Sequence, residues 1–253
     1  MGFRYCLPVS ILISVLPILC FAISGENVET VDESLYPSTC KIVVFNSREM
    51  RMETCTGSLV EGAEVLTAGH CFGSNFILNN QVEVTCGGSE MGRVKSVTLA
   101  AGNVSSRWHD DNEPLPQFDF AVITLAKIPA NQTRVVAQDP SLYFTSLGDL
   151  RSGVECSILG FGADNKGEIG TLHFASLSQL KIRYQPSHEL ISLTASGGLG
   201  LRVSAGRGDS GGPLLCAFPG QAPELVGTTI SMELSSNLEE RVKNIFRPVG
   251  LSY

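Results

Sequence analysis

Three short segments of this chain carry residue types that could do chemistry. His70 is one of four histidines, with His109, His173 and His188, and it closes the apolar run Val65-Leu66-Thr67-Ala68-Gly69 beside Cys71. A lone histidine at a strand end is ordinarily structural. Asp119 is odder, because it stands in Phe118-Asp119-Phe120-Ala121-Val122-Ile123, a segment that reads as buried. An ionised carboxylate there needs a partner, since an unpaired buried charge is strongly destabilising; the plain alternative is a strand-edge acid facing solvent. The third segment is Gly206-Arg207-Gly208-Asp209-Ser210-Gly211-Gly212-Pro213. Its glycines permit backbone conformations closed to most residues and leave peptide N–H groups uncovered around one hydroxyl. Bare N–H donors beside a serine form an oxyanion site, usually the largest contribution in acyl transfer. The plain alternative is a glycine-rich turn with an incidental serine.

The three together specify more than each alone. A serine hydroxyl is a weak nucleophile until a histidine takes its proton, and the histidine needs an acid to fix its tautomer. The order His70, Asp119, Ser210 suits one arrangement of these roles. The G-x-S-x-G pattern of α/β-hydrolases also fits Gly208–Gly212 loosely, but that fold places its histidine after the serine, and none follows His188. A zinc site built on Cys55, His70 and Cys71 lacks tetrahedral ligand spacing. No metal and no cofactor is implied.

These groups must be positioned by a scaffold, and the composition says which kind. The chain has 253 residues, enough for one or two domains with a substantial core. Charged residues make up 17% and hydrophobic ones 43%, which excludes a disordered chain and a coiled coil. A net charge of −7 gives no electrostatic footprint for nucleic acid. Glycine (26) and proline (12) favour short strands and turns over long helices. Strands are predicted at Cys40–Asn46, Gly57–Thr67, Gln81–Cys86, Arg93–Ala100, Phe118–Leu125, Val154–Gly160, Thr171–Ile182, Pro213–Ala217, Glu224–Met232 and Ile245–Val249. That spacing argues for an all-β sandwich or barrel. The window Ser235–Ile245 has a helical pattern but reads better as a polar loop, and Arg107–Gln117 reads as a surface loop. Asn103-Val104-Ser105 and Asn131-Gln132-Thr133 are glycosylation sequons.

Residues 1–22 read as a secretory signal. Arg4 supplies the positive end, and the apolar run Leu7–Phe21, interrupted by Pro8 and Pro17, is short for a span of roughly 20 residues. Cys20 and Ala22 are small residues where a signal peptidase reads, so cleavage after Ala22 is expected, with Ser24 as a competing end, leaving no stable membrane span. The mature chain would be secreted, extracellular or periplasmic, into an oxidising compartment. Of the eight cysteines, Cys6 and Cys20 leave with the signal; Cys40, Cys55, Cys71, Cys86, Cys156 and Cys216 remain, with many pairings open.

The motifs Leu66-Thr67-Ala68-Gly69-His70-Cys71, Asp119-Phe120-Ala121-Val122 and Gly208-Asp209-Ser210-Gly211-Gly212-Pro213-Leu214 resemble those of the trypsin/chymotrypsin-like serine proteases. Cys55-Thr56-Gly57-Ser58-Leu59 and Cys156-Ser157-Ile158-Leu159-Gly160-Phe161-Gly162 are weaker matches, and the series runs in family order from about Ile23 to the C-terminus. The resemblance implies an all-β fold of two six-stranded antiparallel β-barrels, with the active site in the cleft between them and a boundary near residues 130–150. It implies a Ser210 nucleophile, His70 as general base and then acid, Asp119 as its orienting partner, and an oxyanion hole from the N–H groups of Gly208 and Ser210. Ser231 matches a serine that opens the substrate-pairing strand. The resemblance pairs Cys55 with Cys71 and Cys156 with Cys216, and these two matches leave Cys40 with Cys86.

Departures from the family sharpen the expectation. Ile23-Ser24-Gly25-Glu26-Asn27-Val28 resembles the family's activated N-terminus, whose partner would be Asp209, yet the residue directly before Ile23 is Ala22 rather than Lys or Arg. Signal removal after Ala22 would then itself create the activating terminus. Ser204 stands where trypsin carries a pocket aspartate, Gly206 replaces a usual cysteine, Glu233 occupies a wall position often glycine, and Asn244 aligns with another. The pocket is therefore expected to take uncharged apolar side chains. The family's terminal helix has no counterpart before the chain stops at Tyr253. The expected function is a serine endopeptidase acting on protein or peptide substrates and open to protein inhibitors. The other classes considered are a protease-like binding protein and an esterase using the same triad.

Overall fold

The computed structural model describes residues 23, 28–46, 51–72, 82–100, 119–164, 167–177, 181–185, 190–194, 205–233 and 243–249. Its strands, in chain order, are β1 (Val28–Thr30), β2 (Thr39–Asn46), β3 (Arg51–Val60), β4 (Glu64–Thr67), β5 (Val82–Cys86), β6 (Ser89–Glu90), β7 (Val94–Leu99) and β8 (Ala121–Leu125), followed by β9 (Glu155–Gly160), β10 (His173–Ser176), β11 (Lys181–Gln185), β12 (Leu190–Thr194), β13 (Pro213–Ala217), β14 (Glu224–Glu233) and β15 (Lys243–Pro248). Alternation of side chains is why they form: in β5, Val82, Val84 and Cys86 are buried while Glu83 faces out. β8 alternates in the same way, with Ala121, Ile123 and Leu125 inside.

Two antiparallel sheets result, as the sequence led us to expect. One has the order β6-β5-β2-β3-β4-β8-β7, the other β1-β10-β9-β13-β14-β15-β12-β11. β5 and β7, far apart in the first order, approach each other, so that sheet curls. Where six strands were expected in each unit, the first sheet has seven, six and the two-residue edge β6, and the second has eight, seven and the three-residue edge β1. Apart from β1, the first sheet is drawn from residues 39–125 and the second from 155–248, and the chain crosses between them within residues 126–154. This connector is strapped to both: Val135 N–H donates to Leu59 O, and Gln138 N–H to Leu225 O.

Several predicted runs divide. Gly57–Thr67 is the end of β3 and all of β4, joined by a tight turn at Glu61-Gly62-Ala63 where Gly62 takes φ 74°. Thr171–Ile182 is β10 and the start of β11. β1, β6 and β12 were not foreseen. Of the window Ser235–Ile245, Lys243–Ile245 belong to β15 and the remainder lies outside the described residues.

Each sheet encloses its own apolar cluster, Ile42, Leu59, Val65 and Ile123 in the first, Ile158, Ile191, Leu214 and Phe246 in the second. A third cluster joins them: Val60, Leu66 and Phe120 pack with Leu159, Phe161, Leu172, Leu215 and Leu225. Fully burying a side chain such as Phe120 contributes about 2–3 kcal/mol. This shared core matters most for the site, because Phe120 follows Asp119 and Leu66 lies four residues before His70, near the end of β4, while Leu159 and Phe161 flank Gly160.

Candidate active site

The local structure around His70 follows from strand pairing. β4 and β8 run antiparallel with Thr67 opposite Ala121, which brings the residues just beyond each strand together. After β4 a single 3-10 turn, Gly69–Cys71, carries His70, and Cys71 is tied to Cys55 on β3 by a disulfide. Asp119, 3% exposed, then meets His70 twice: its Oδ1 accepts the His70 backbone N–H at 2.8 Å, and its Oδ2 lies 2.7 Å from Nδ1. Two donors answer the objection to a buried carboxylate. With Nδ1 carrying its proton toward Asp119, Nε2 is left as the basic nitrogen.

Ser210 lies in the turn before β13. Asp209 N–H donates to Gly206 O, Gly211 N–H to Thr229 O, and Gly212 N–H to Asp209 O. The N–H groups of Gly208 and Ser210 have no partner among the described residues. That is the pair an oxyanion hole requires. The turn demands glycine at two points. Gly208 has φ 100°, and at Gly211, φ 85°, an added Cβ would stand 2.1 Å from Thr56 O. The serine's own carbonyl accepts the Thr56 N–H at 2.8 Å, a bond from the first sheet to the second.

Asp209 points the other way, into the second sheet, and is 1% exposed. Oδ1 accepts Gly162 N–H at 2.9 Å and Oδ2 accepts Gly206 N–H at 2.8 Å. The backbone N–H of Ile23 donates to the same carboxylate, and the Ile23 side chain is buried in the second sheet's core. Burial pushes the Asp209 carboxyl up to about 7, while the N–H groups of Gly206, Gly162 and Ile23 hold it down. The two sequence-flagged residues Ile23 and Asp209 are thus brought together.

His70, Gly208 and Ser210 line one open cleft of about 310 Å³ together with Met52, Cys55, Ile169 and Arg207. Ser204 lies outside the described residues, as do residues 1–22, the sequon at Asn103, the loop Arg107–Gln117, His109 and His188. Ser231 and Glu233 belong to β14, where they pair with Ile245 and Lys243; their side chains, and that of Asn244, lie outside the described residues. Disulfides join Cys40 to Cys86, Cys55 to Cys71, and Cys156 to Cys216. Cys55 and Cys71 are therefore committed to each other. Among the described residues no group of three or more His, Cys, Asp or Glu could hold a metal, and no helix is long and apolar enough to cross a membrane.

Sequence reasoning overlooked the residues that support these groups. Thr67 Oγ1 donates to Thr56 O at 2.7 Å, and Thr56 Oγ1 bonds both Gly208 and Phe161. Gly162 leaves room for Asp209, since a Cβ there would lie 2.6 Å from both carboxylate oxygens. The only available signal was motif membership, Thr67 in the motif that carries His70 and Thr56 and Gly162 in the two weaker ones.

A family model described as Trypsin matches residues 28–250. The chain is similar to mast cell protease 2 of Ovis aries, 27% identical over 208 residues that cover 78% of this chain and 79% of that one. It is 25% identical to chymotrypsin-like elastase family member 1 of Bos taurus over 227 residues, 83% of this chain and 80% of the relative. It is 28% identical to cathepsin G of Homo sapiens over 172 residues; this match covers 64% of the chain and only 62% of cathepsin G's length.

Proposed function

This chain belongs to the trypsin family, and from that premise we propose that it is a secreted serine endopeptidase working through Ser210, His70 and Asp119. The observation that carries the reading is the Asp119 carboxylate engaging both the backbone N–H and Nδ1 of His70, with His70, Gly208 and Ser210 on one cleft. His70 Nε2 takes the Ser210 proton as Oγ attacks the scissile carbonyl. The resulting oxyanion is held by the N–H groups of Gly208 and Ser210, and Asp119 stabilises the imidazolium. His70 then returns the proton to the departing amine. A water, activated by the same histidine, hydrolyses the acyl-enzyme and frees Ser210.

Residues 1–22 serve as the signal, and the remainder from Ile23 is the protease domain. Cleavage after Ala22 exposes the Ile23 amine, which pairs with Asp209. The burial of Ile23 and its existing bond to that carboxylate support this reading. Three disulfides fit an extracellular or periplasmic life. Substrates are proteins or peptides, and Ser204 in place of an anion favours cleavage beside uncharged apolar side chains. Protein inhibitors could occupy the same cleft.

The test is labelling of the processed protein by a fluorophosphonate, with Ser210→Ala as control. Labelling lost in the variant, with peptide bonds turned over as well as simple esters, is the expected result. No labelling of protein beginning at Ile23 would favour a silent binding protein; ester turnover without peptide cleavage would favour an esterase.

A further inference from the structure

We infer that the Thr56 side chain is a positioning group for the oxyanion turn, clamping it from the opposite sheet. The inference deepens the endopeptidase reading and rests on it. Thr56 lies on β3 and is fully buried. Its hydroxyl donates to Gly208 O at 2.8 Å and accepts the Phe161 N–H at 2.9 Å, so both its hydrogen-bonding roles are filled by backbone more than a hundred residues away. Its own N–H donates to Ser210 O at 2.8 Å. One residue thus grips the carbonyls on both sides of Asp209.

The physical need is clear from what it grips. Gly208 has no side chain, its φ is 100°, and rotation about a glycine meets little steric resistance. The direction of the Gly208 N–H depends on that rotation, and an oxyanion donor turned by a few tenths of an ångström loses much of its value. Fixing Gly208 O fixes the Gly208–Asp209 peptide plane, the far side of the rotation that aims the Gly208 N–H, and the bond to Phe161 refers that plane to the segment that also feeds Gly162 N–H to Asp209. Asp209 holds the turn from within the second sheet; Thr56 holds it from the first. Thr56 touches neither substrate nor reacting atoms. The main-chain bond from Thr56 N–H would survive any side chain at this position, but the two hydroxyl bonds require a hydroxyl.

The test compares Thr56→Val, which keeps the branched shape, with Thr56→Ser, which keeps the hydroxyl. On an amide substrate, Thr56→Val should lower kcat by about 10- to 100-fold with KM changed less than about threefold, and Thr56→Ser should recover most of that loss. Amide hydrogen exchange in a peptide spanning 205–212 should speed up in Thr56→Val and not in Thr56→Ser, whatever the activity. Wild-type kcat in Thr56→Val, equal damage in Thr56→Ser, or unchanged exchange overturns the assignment. So does failure of both variants to fold, which would make the hydroxyl a support of the fold rather than of the turn. A wild-type chain without Ser210-dependent turnover would sink the endopeptidase reading separately, and the exchange comparison alone would then decide the role of Thr56.

Discussion

The Asp209 carboxyl is the group whose titration depends most on how the chain begins. With Ile23 joined to Ala22 its nitrogen offers only an amide N–H, and burial holds the carboxyl at about 7 against an ordinary value of 3.8. A carboxyl raised this far keeps its proton in the fold over a range where the unfolded chain has lost it. Stability is therefore present at low pH and declines as pH climbs from about 4 to about 7, by about 4 kcal/mol in all from those two values. A free Ile23 ammonium reverses this, since a positive charge against the buried carboxylate lowers its pKa. The stabilisation from the ammonium is then full below the ordinary amine value near 8 and is lost as pH rises through its raised folded value. Two chains test this, one beginning at Ile23 and one retaining Ala22 behind a blocked terminus, each unfolded in urea at intervals from pH 4 to pH 10. The blocked chain should lose several kcal/mol between pH 4 and pH 7 and cleave poorly at pH 8. The free chain should hold its stability to pH 8, then lose stability and activity together. Parallel curves for the two chains, or higher activity in the blocked one, would refute the reasoning.

Asp119→Asn keeps the shape but removes the charge and one of the two acceptors facing His70, so kcat should fall by about 10⁴-fold in steady-state assays while the melting temperature moves little. Gly162→Ala drives a methyl to 2.6 Å from both Asp209 oxygens; we expect a loss of about 1–3 kcal/mol in urea unfolding together with impaired turnover. Replacing Cys40 and Cys86 with alanine opens a loop of 46 residues and should cost about 4 kcal/mol, read from the same unfolding curves. A peptide library should show cleavage mainly beside uncharged apolar residues, and dominant cleavage after Arg or Lys would contradict the role given to Ser204.

How much of this was legible in the sequence depended on whether a residue's partners were near it in the chain. His70, Asp119 and Ser210 stood out because each is chemically unusual in its own segment, and their order carries meaning without coordinates. The strand runs were legible where apolar and polar residues alternate, as in Val82–Cys86. They blurred where both flanks of a turn are buried. Gly57–Thr67 reads as one strand because Leu59, Val60, Val65 and Leu66 are all core residues, and only Glu61-Gly62-Ala63-Glu64 interrupts them. The three residues of β1 carry no pattern of their own; they are a strand because β10 offers an edge, with Val28 opposite Ala175.

The same logic explains why the supports of the site were hidden. A buried threonine such as Thr56 has no conspicuous chemistry in Cys55-Thr56-Gly57, and its partners Phe161 and Gly208 become visible only when the two sheets meet. That meeting is governed by the third apolar cluster, in which Leu66 and Phe120 pack with Leu159 and Phe161. Neighbours of the His70–Asp119 pair thus share one core with neighbours of the Asp209 pocket. A cavity at Phe120 should consequently damage turnover beyond its effect on either sheet alone. Phe120→Ala should cost about 3–5 kcal/mol in urea unfolding, and the folded fraction should show a lower kcat. Unaltered turnover in folded Phe120→Ala would mean that the sheets keep their registry without that side chain, and that the hydrogen bonds of Thr56 alone suffice to align the site.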